Sequence, residues 1–388
     1  MHYNTIMNQM QNFIPRHHFQ NLAERYSCDR YVKSFTSWNQ FTTMLYAQIS
    51  GKDSLRDIQN SIAAQGSKLY HIGLQPVKRS TLADANQTRS YRIYEELFYK
   101  ILQRCKSVTP KHKFKFKNPL YTLDGTVIDL CLSTFDWAKF RAAKGAIRLH
   151  YEYDHSGQLP SFLVVTDAKQ HEITVARSSF TPVADSIYCF DKAYTDYTWL
   201  ASIDAAKAYF VTRAKESMKY QVIGQHNGLK NNNILSDDII VFTGLYKQQI
   251  YSKELRLIKY YDKENDRTFE FLTNNFNLSA YTIAQIYKAR WQIEIFFKWI
   301  KQNLRIKTFL GTSKNAVLTQ IWVAMCYYLL LTYIKYQSKY RDTIFYLHRI
   351  IKATVLERLN LIDLLNITEK TLSKVIHIDP EPQLSLNF

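Results

Sequence analysis

Three acidic residues, far apart along the chain, have settings that suit chemistry: Asp124, Asp191 and Glu294. Asp124 follows the apolar run LYTL, and Asp191 follows SIYCF. A carboxylate where a strand runs out projects into the crevice beyond the sheet edge, where ligands bind in mixed α/β folds. Taken singly, each Asp reads more readily as a turn residue. Glu294 lies in YKARWQIEIFFKWIK, residues 287–301. At about 100° per residue, Tyr287, Arg290, Glu294 and Lys301 share an arc of roughly 60° on one helix. Ile286, Ile293, Ile300 and Leu304 form an adjoining apolar stripe that would dock this helix on the sheet and turn Glu294 toward the two Asp. Lys298 and Arg305 extend the basic face. The plainer alternative is an amphipathic helix with an Arg290–Glu294 pair at i,i+4, contributing a few tenths of a kcal/mol.

Three converging carboxylates suit a pair of Mg²⁺ or Mn²⁺ ions, which take oxygen ligands and keep positions open for water and phosphate. Two such ions about 3.5–4 Å apart assist phosphodiester displacement by activating the attacking oxygen and stabilising the leaving one. Arg290, Lys301 and Tyr287 would then hold backbone phosphates.

The elements that must position these groups change character along the chain. Residues 1–105 read as helical. Trp38, Phe41, Leu45 and Ile49 keep helical spacing up to Gly51, and Leu55, Ile58 and Ile62 continue it. After Gly73 and Pro76, Thr81 and Asp84 have capping-box spacing, with Lys78 and Arg79 at the helix entrance and Arg89 near its end. Short helices around Gly turns resemble a helix-turn-helix DNA reader, and equally a simple bundle. KHKFKFKNP (111–119) alternates Lys with His112, Phe114 and Phe116, a strand period with one basic face. From Leu120 to about residue 220 the pattern is strands: PLYTLDGTVIDLCLSTF as two strands with a turn at Gly125, then a hairpin around Gly157. Residues 221–275 read as a β-rich insertion, and the chain is helical from Ser279. Four parts follow: a helical DNA-binding domain (1–105), a catalytic core (106–220 and 276–345), the insertion (221–275) and a C-terminal helical tail (346–388).

The bulk numbers agree with a polyanionic partner. The 388 residues carry 51 Lys and Arg against 33 Asp and Glu, a net charge of +18, so nucleic acid is the expected partner and binding should be salt-dependent. Only 10 Gly and 8 Pro argue against disorder. Five scattered cysteines signal neither a disulfide framework nor a zinc site and fit a reducing cytoplasm. The N-terminal MHYNTIMNQMQNF has no signal-peptide core. Ala316–Ile334 approaches the length of a membrane span, but its Thr319 and Gln320 favour a buried core helix, so no membrane partner is expected.

On these residues the chain resembles a DDE transposase of a bacterial insertion sequence, in the subgroup marked Tyr-x2-Arg-x3-Glu-x6-Lys. The signature is met by Tyr287, Arg290, Glu294 and Lys301, with LDGT (Asp124) and FDKAYTD (Asp191) as the acidic motifs. Lys192-Ala193 stands where the family often has Arg-Gly. The resemblance implies a ribonuclease H-like α/β core with a β-rich insertion, preceded by the helical N-terminal domain. It also implies cut-and-paste transposition: two Mg²⁺ (or Mn²⁺) ions on Asp124, Asp191 and Glu294, and DNA contacts from Tyr287, Arg290 and Lys301. Lys298, Arg305, Lys78, Arg79 and Arg89 are further candidate DNA contacts. Relatives that form a hairpin intermediate stack a flipped base on a Trp of the insertion. Residues 221–275 have none, so either Phe242, Tyr246 or Tyr251 substitutes or the hairpin step differs, and the flipped-base residue is unassigned. Coordinated cutting of two ends implies at least a dimer on DNA, with Leu356, Leu359, Leu361 and Leu364 either making contacts or capping the core. The alternatives are a structure-selective nuclease on the same core without strand transfer, and a DNA-binding regulator lacking catalysis.

Overall fold

The computed structural model describes residues 4–131, 134–141, 144–226, 233–243 and 250–366. Six helices open the chain: α1 (Ile6–Gln11), α2 (Arg16–Arg25), α3 (Ser37–Ser50), α4 (Leu55–Ala64), α5 (Arg79–Thr88) and α6 (Arg92–Val108). The Thr36–Asn39 capping box starts α3, and Gly51 ends it in the left-handed region at φ +68°. The expected box at Thr81 and Asp84 does not form, because both residues lie inside α5. That helix begins earlier, after extended Lys78, and its exposed first N–H is satisfied from a neighbouring helix: Arg79 N–H donates to Gln59 Oε1 at 2.6 Å. Such a cap from a distant side chain leaves no local sequence signal.

Residues 111–119 form no strand, yet their alternation survives. The rings of His112, Phe114 and Phe116 cluster, with centroids 4.8–5.8 Å apart, while the four lysines stay exposed. A three-ring cluster, closed by His112 Nε2 against the Asn118 carbonyl at 2.8 Å, replaces the ladder that would have made this a strand.

Ten strands form one sheet: β1 (Leu120–Leu130), β2 (Lys139–Arg141), β3 (Lys144–Asp154), β4 (Leu159–Asp167), β5 (Ile187–Phe190), β6 (Tyr209–Arg213), β7 (Tyr220–Gln225), β8 (Ile234–Phe242), β9 (Leu255–Asp262) and β10 (Arg267–Thr273). The expected turn at Gly125 is absent. β1 runs straight through Asp124 and Gly125, paired antiparallel with β3 from Tyr121↔Asp154 to Leu130↔Gly145. The β3–β4 hairpin turns at Gly157 (φ +71°), as its position suggested. β5 and β6 lie parallel to β1, so the order β4-β3-β1-β5-β6 is the ribonuclease H-like arrangement expected for the core. Parallel strands need crossovers, and these are α7 (Glu172–Ser179) and α8 (Tyr197–Ala205), in a stretch read as strands throughout. Both helices are short; α8 is capped by Asp196, which accepts from Trp199 N–H at 2.9 Å, and α7 has no side-chain cap.

The β-rich residues 221–275 continue this sheet: β10 pairs with β6, and β9, β8 and β7 follow in antiparallel order. A fully buried Arg256 fastens this wing. Its guanidinium meets Asp237 twice, at 3.0 and 2.6 Å, and donates to the carbonyls of Asn275 and Leu278 at 2.7 Å. Those carbonyls lead into α9 (Ala280–Ala289), whose Ile283 and Ile286 pack on the sheet with Ile187, Cys189 and Leu120.

The single helix expected around Tyr287–Lys301 is two. α9 ends and α10 (Trp291–Asn303) begins at Arg290, where the turn tightens: Arg290 N–H donates to Tyr287 O, three residues back, at 3.1 Å. Ile286, Ile293, Ile300 and Leu304 are buried as the stripe required. Next come α11 (Lys314–Gln337) and α12 (Ile344–Thr354). Helix α11 is long and apolar enough to cross a membrane, but 94% of its most apolar window is buried, so it serves as a core helix. It packs against α3 and α6, and Phe41, Tyr94, Phe98, Trp322, Ile293 and Ile300 belong to one core shared by the N-terminal helices and α10. Leu356 and Leu361 close that core, Leu364 packs against it, and Leu359 is exposed.

Candidate active site

Strand alternation decides where the carboxylates point. Along β5, Ile187 and Cys189 face α9, while Tyr188 and Phe190 face the opposite core. Asp191 is next in the α9-facing set. Along β1, Leu120 faces α9, which places Asp124 on the same face. The parallel register Leu123↔Phe190 is the last pair between these strands, so Asp124 and Asp191 are neighbours where that ladder ends. Asp124 is thus mid-strand toward β3 and at a strand end toward β5. The crevice argument holds on one side only.

Helix α10 brings the third carboxylate. Arg290 Nη1 lies 3.1 Å from Asp124 Oδ2 and 3.4 Å from Glu294 Oε1, so one guanidinium nitrogen bridges the two. The i,i+4 pair therefore exists, but as half of a three-group cluster. Asp124 Oδ1 also accepts from Gly125 N–H at 2.8 Å. Burial pushes the Asp124 carboxyl up to about 7. Arg290 and the Gly125 N–H oppose this, and Glu294 and Glu172 add to it. For Arg290, burial alone would lower the guanidinium, but Tyr287 and Asp124 outweigh it and hold the group protonated. Its Nε is buried without a hydrogen-bond partner.

Asp191 is not drawn into this contact. Its Oδ1 accepts from Ala193 N–H at 3.1 Å and caps the short turn Lys192–Tyr194. Lys192 points outward, 4.0 Å from Glu216. Among the described residues, no group of three or more His, Cys, Asp or Glu stands close enough together to hold an ion. The donor chemistry still fits a hard cation: Asp124 is a largely buried carboxylate paired with one arginine, with a second carboxylate on that arginine and a third one strand over. The space between Asp124 and Glu294 is filled by a side-chain cation, which an ion there would displace.

The basic candidates separate into two kinds. Lys298 is exposed on α10, and Lys301 is half-buried, its ammonium lowered by burial and Lys307 while Asp129 and Glu294 pull the other way. Lys78 and Arg79 are exposed at the start of α5. Arg89 and Arg305 are internal ties. Arg89 donates to the Phe35 carbonyl and to Gln40 Oε1, and Arg305 binds the Gly51 carbonyl and Asp53, both at 2.7 Å. Tyr287 packs its ring on Phe271, with centroids 4.9 Å apart, and the Arg290 guanidinium lies 5.6 Å from the ring centre. Of the stacking candidates, Phe242 and Tyr251 are buried in the core under β8, and Tyr246 lies outside the described residues. The accessible aromatic ring beside the site is instead Trp291, 37% exposed at the rim of a cavity of about 100 Å³ lined also by Tyr260, Phe269, Phe271 and Tyr287.

Glu172 is the site residue that pattern reading missed. It sits in the first turn of α7, pairs with Arg148 at 3.4 Å and faces Gly125 from the other side of the sheet. The only available signal was the helix itself, since a crossover between two parallel strands had to lie before Ile187.

Comparison with known proteins places the chain in a family. Residues 115–330 match the model described as Transposase DDE domain, and residues 2–75 match one described as Domain of unknown function (DUF4372). The putative transposase y4zB of Sinorhizobium fredii is 33% identical over 261 residues, covering 66% of this chain and 71% of that one. The probable transposase for insertion sequence element IS5377 of Geobacillus stearothermophilus is 28% identical over 336 residues, 86% of each chain. A cryo-EM structure of the piggyBac transposase synaptic complex with hairpin DNA covers 99% of this chain and 88% of its own, at 8% identity and a TM-score of 0.47, a likeness too slight to carry an argument.

Proposed function

We propose, for a chain that belongs to the DDE transposase family of insertion sequence elements, that Asp124, Asp191 and Glu294 are the ligands of two Mg²⁺ (or Mn²⁺) ions and carry DNA cleavage and strand transfer. The supporting observation is the bridge itself: Arg290 joins Asp124 and Glu294 through one nitrogen, beside the Asp191 that follows the last β1–β5 pair. Bound ions would activate the attacking oxygen and offset charge on the leaving one.

In this reading the chain's own groups do the positioning. Arg290 is a place-holding cation that leaves the carboxylates and turns to a backbone phosphate when DNA and ions arrive. Tyr287 stiffens that arginine from behind. Lys298 and Lys301 hold the strand along α10, and Lys78 and Arg79 contact DNA from the N-terminal region. Arg89 and Arg305, already engaged inside the protein, act on DNA only through the helices they fix. We assign the chain to the Tyr-x2-Arg-x3-Glu-x6-Lys subgroup on these positions. Residues 106–220 and 276–345 are taken as its catalytic core. Water attacks the phosphorus at the element's end, the P–O3′ bond breaks, and the freed 3′-hydroxyl attacks target DNA. The protein works as a dimer on two ends, in the cytoplasm on nucleoid DNA.

The test is Glu294→Gln in the full chain. With end-bearing DNA and Mg²⁺, cleavage and joining should both disappear while end binding persists. A variant that still cuts would refute the assignment. Supplying a precleaved 3′-hydroxyl end with a plasmid separates transfer from hydrolysis: hydrolysis without joined product would favour the nuclease reading.

A further inference from the structure

Beyond the carboxylates, α10 runs into a second concave site. A cavity of about 260 Å³ opens where the end of α10 meets the α3–α4 turn and α12, with Lys301, Arg305, Lys307, Lys352, His348 and Gly51 among its walls. No Asp or Glu is among the described residues lining it. Like charges crowd there, with one acidic partner, Asp53, on Arg305 at 2.7 Å. A Cβ placed on Gly51 would lie 3.2 Å from Arg305 Nη2 and 3.4 Å from Lys352 Nζ, so two cations flank one spot. Lys307 acts on Lys301 as a like charge. His348 contributes no charge: its Nδ1 is bonded to Tyr327 Oη at 2.8 Å, and burial keeps the ring neutral. Among the described residues, Lys301, Lys307 and Lys352 have no acidic partner at bonding distance, whereas Arg305 pairs with Asp53.

The walls are tied to one another. The Arg305 backbone N–H donates to Gln48 Oε1 at 2.9 Å and its side chain to the Gly51 carbonyl, which ties α3 to the end of α10. Crowding cations into a fixed hollow costs free energy unless an anion is bound there. A cavity of this size admits a phosphate group with some of its water.

We propose that this cavity is a clamp for a single backbone phosphate of the bound DNA, with Lys307 and Lys352 as its unassigned contacts and the Gly51 turn as its floor. The proposal rests on the transposase reading and adds a position to it. Glu294 and Lys301 are seven residues apart on α10, which at about 1.5 Å per residue is about 10 Å. That is the axial rise of about three base pairs, at about 3.4 Å each, of a duplex lying along α10. The clamp therefore grips the DNA within a few nucleotides of the bond being cut. It also ties the N-terminal helices to the catalytic helix through the DNA.

The experiment measures affinity of the full chain for a random-sequence duplex against salt, for wild type, Lys307→Gln/Lys352→Gln and Lys307→Arg/Lys352→Arg. Losing one phosphate contact lowers the slope of log K against log salt by about 0.9, so the loss of affinity between about 50 and about 200 mM salt shrinks by about 3.5-fold. The Gln pair should show this with an unfolding temperature equal to or above wild type, since repulsion is relieved, and the Arg pair should keep the wild-type slope. A control pair at exposed Lys33 and Lys339 should change the slope less. An unchanged slope in the Gln pair, or a control pair that lowers it equally, overturns the clamp. If the slope is unchanged while inorganic phosphate stabilises wild type but not the Gln pair, the site takes free phosphate and the DNA assignment is wrong. Failure of the catalytic reading would appear separately, as absence of Mg²⁺-dependent cutting by wild type.

Discussion

Arg256 offers the clearest test of how the fold holds the site. Its side chain is 0% exposed and all of its bonding is internal: two contacts to Asp237 and one each to the carbonyls of Asn275 and Leu278. Changing Arg256 to Met preserves bulk but leaves the Asp237 carboxylate buried, with the His226 ring 3.4 Å away. Removing one partner of a buried ion pair costs about 3–5 kcal/mol, because the stranded charge keeps its desolvation penalty. Replacing both partners, Arg256→Met with Asp237→Leu, removes that penalty and should cost at least about 2 kcal/mol less than the single change. The assay is denaturant unfolding of the full chain, followed by near-ultraviolet circular dichroism. The released carbonyls lie just before Ser279, the cap of α9, so Arg290 should also lose its fixed position and DNA cutting should fall in the single variant. A cost below about 1 kcal/mol for Arg256→Met, or a double variant as unstable as the single, would refute the reasoning.

Two further outcomes follow from local geometry. Gly157 sits at φ +71°, and an added Cβ would fall 2.3 Å from Thr109 Cβ, so Gly157→Ala should lower stability by more than the ~1 kcal/mol of a simple left-handed penalty, read from the unfolding midpoint. His348 has its pKa pushed down to about 4 by burial, then by Lys352 and Arg349, so the fold holds it neutral while the unfolded chain takes up a proton near pH 6.5. Its contribution is full above about pH 6.5 and is lost as pH falls toward 4. Relative to His348→Gln, wild type should lose up to about 3 kcal/mol over that window, and parallel pH–stability curves for the two proteins would contradict this.

What could be read before the fold was known had a local period. The buried stripe Ile286, Ile293, Ile300 and Leu304, the buried helix around Trp322 and the hairpin at Gly157 all follow from spacing, as does the strand leading to Asp191. What could not be read depended on distant partners. Gly125 looked like a turn because glycine usually marks one, but β3 pairs across it and keeps it extended. The helix break at Arg290 coincides with a contact to Asp124, 166 residues away. The lysine-rich segment 111–119 has the alternation of a strand without a partner to pair with, and its rings cluster instead. Nothing in the local segment of Asp237 or of Arg256 says that the other will be buried beside it.

The central claim is that Asp124, Asp191 and Glu294 share divalent ions once Arg290 moves aside. Binding of Mn²⁺ to the DNA-bound full chain, followed by electron paramagnetic resonance, tests it without requiring turnover. Wild type should take up two ions, and Asp124→Asn, Asp191→Asn and Glu294→Gln should each weaken or abolish that uptake. Three variants that bind Mn²⁺ as wild type does would contradict the account.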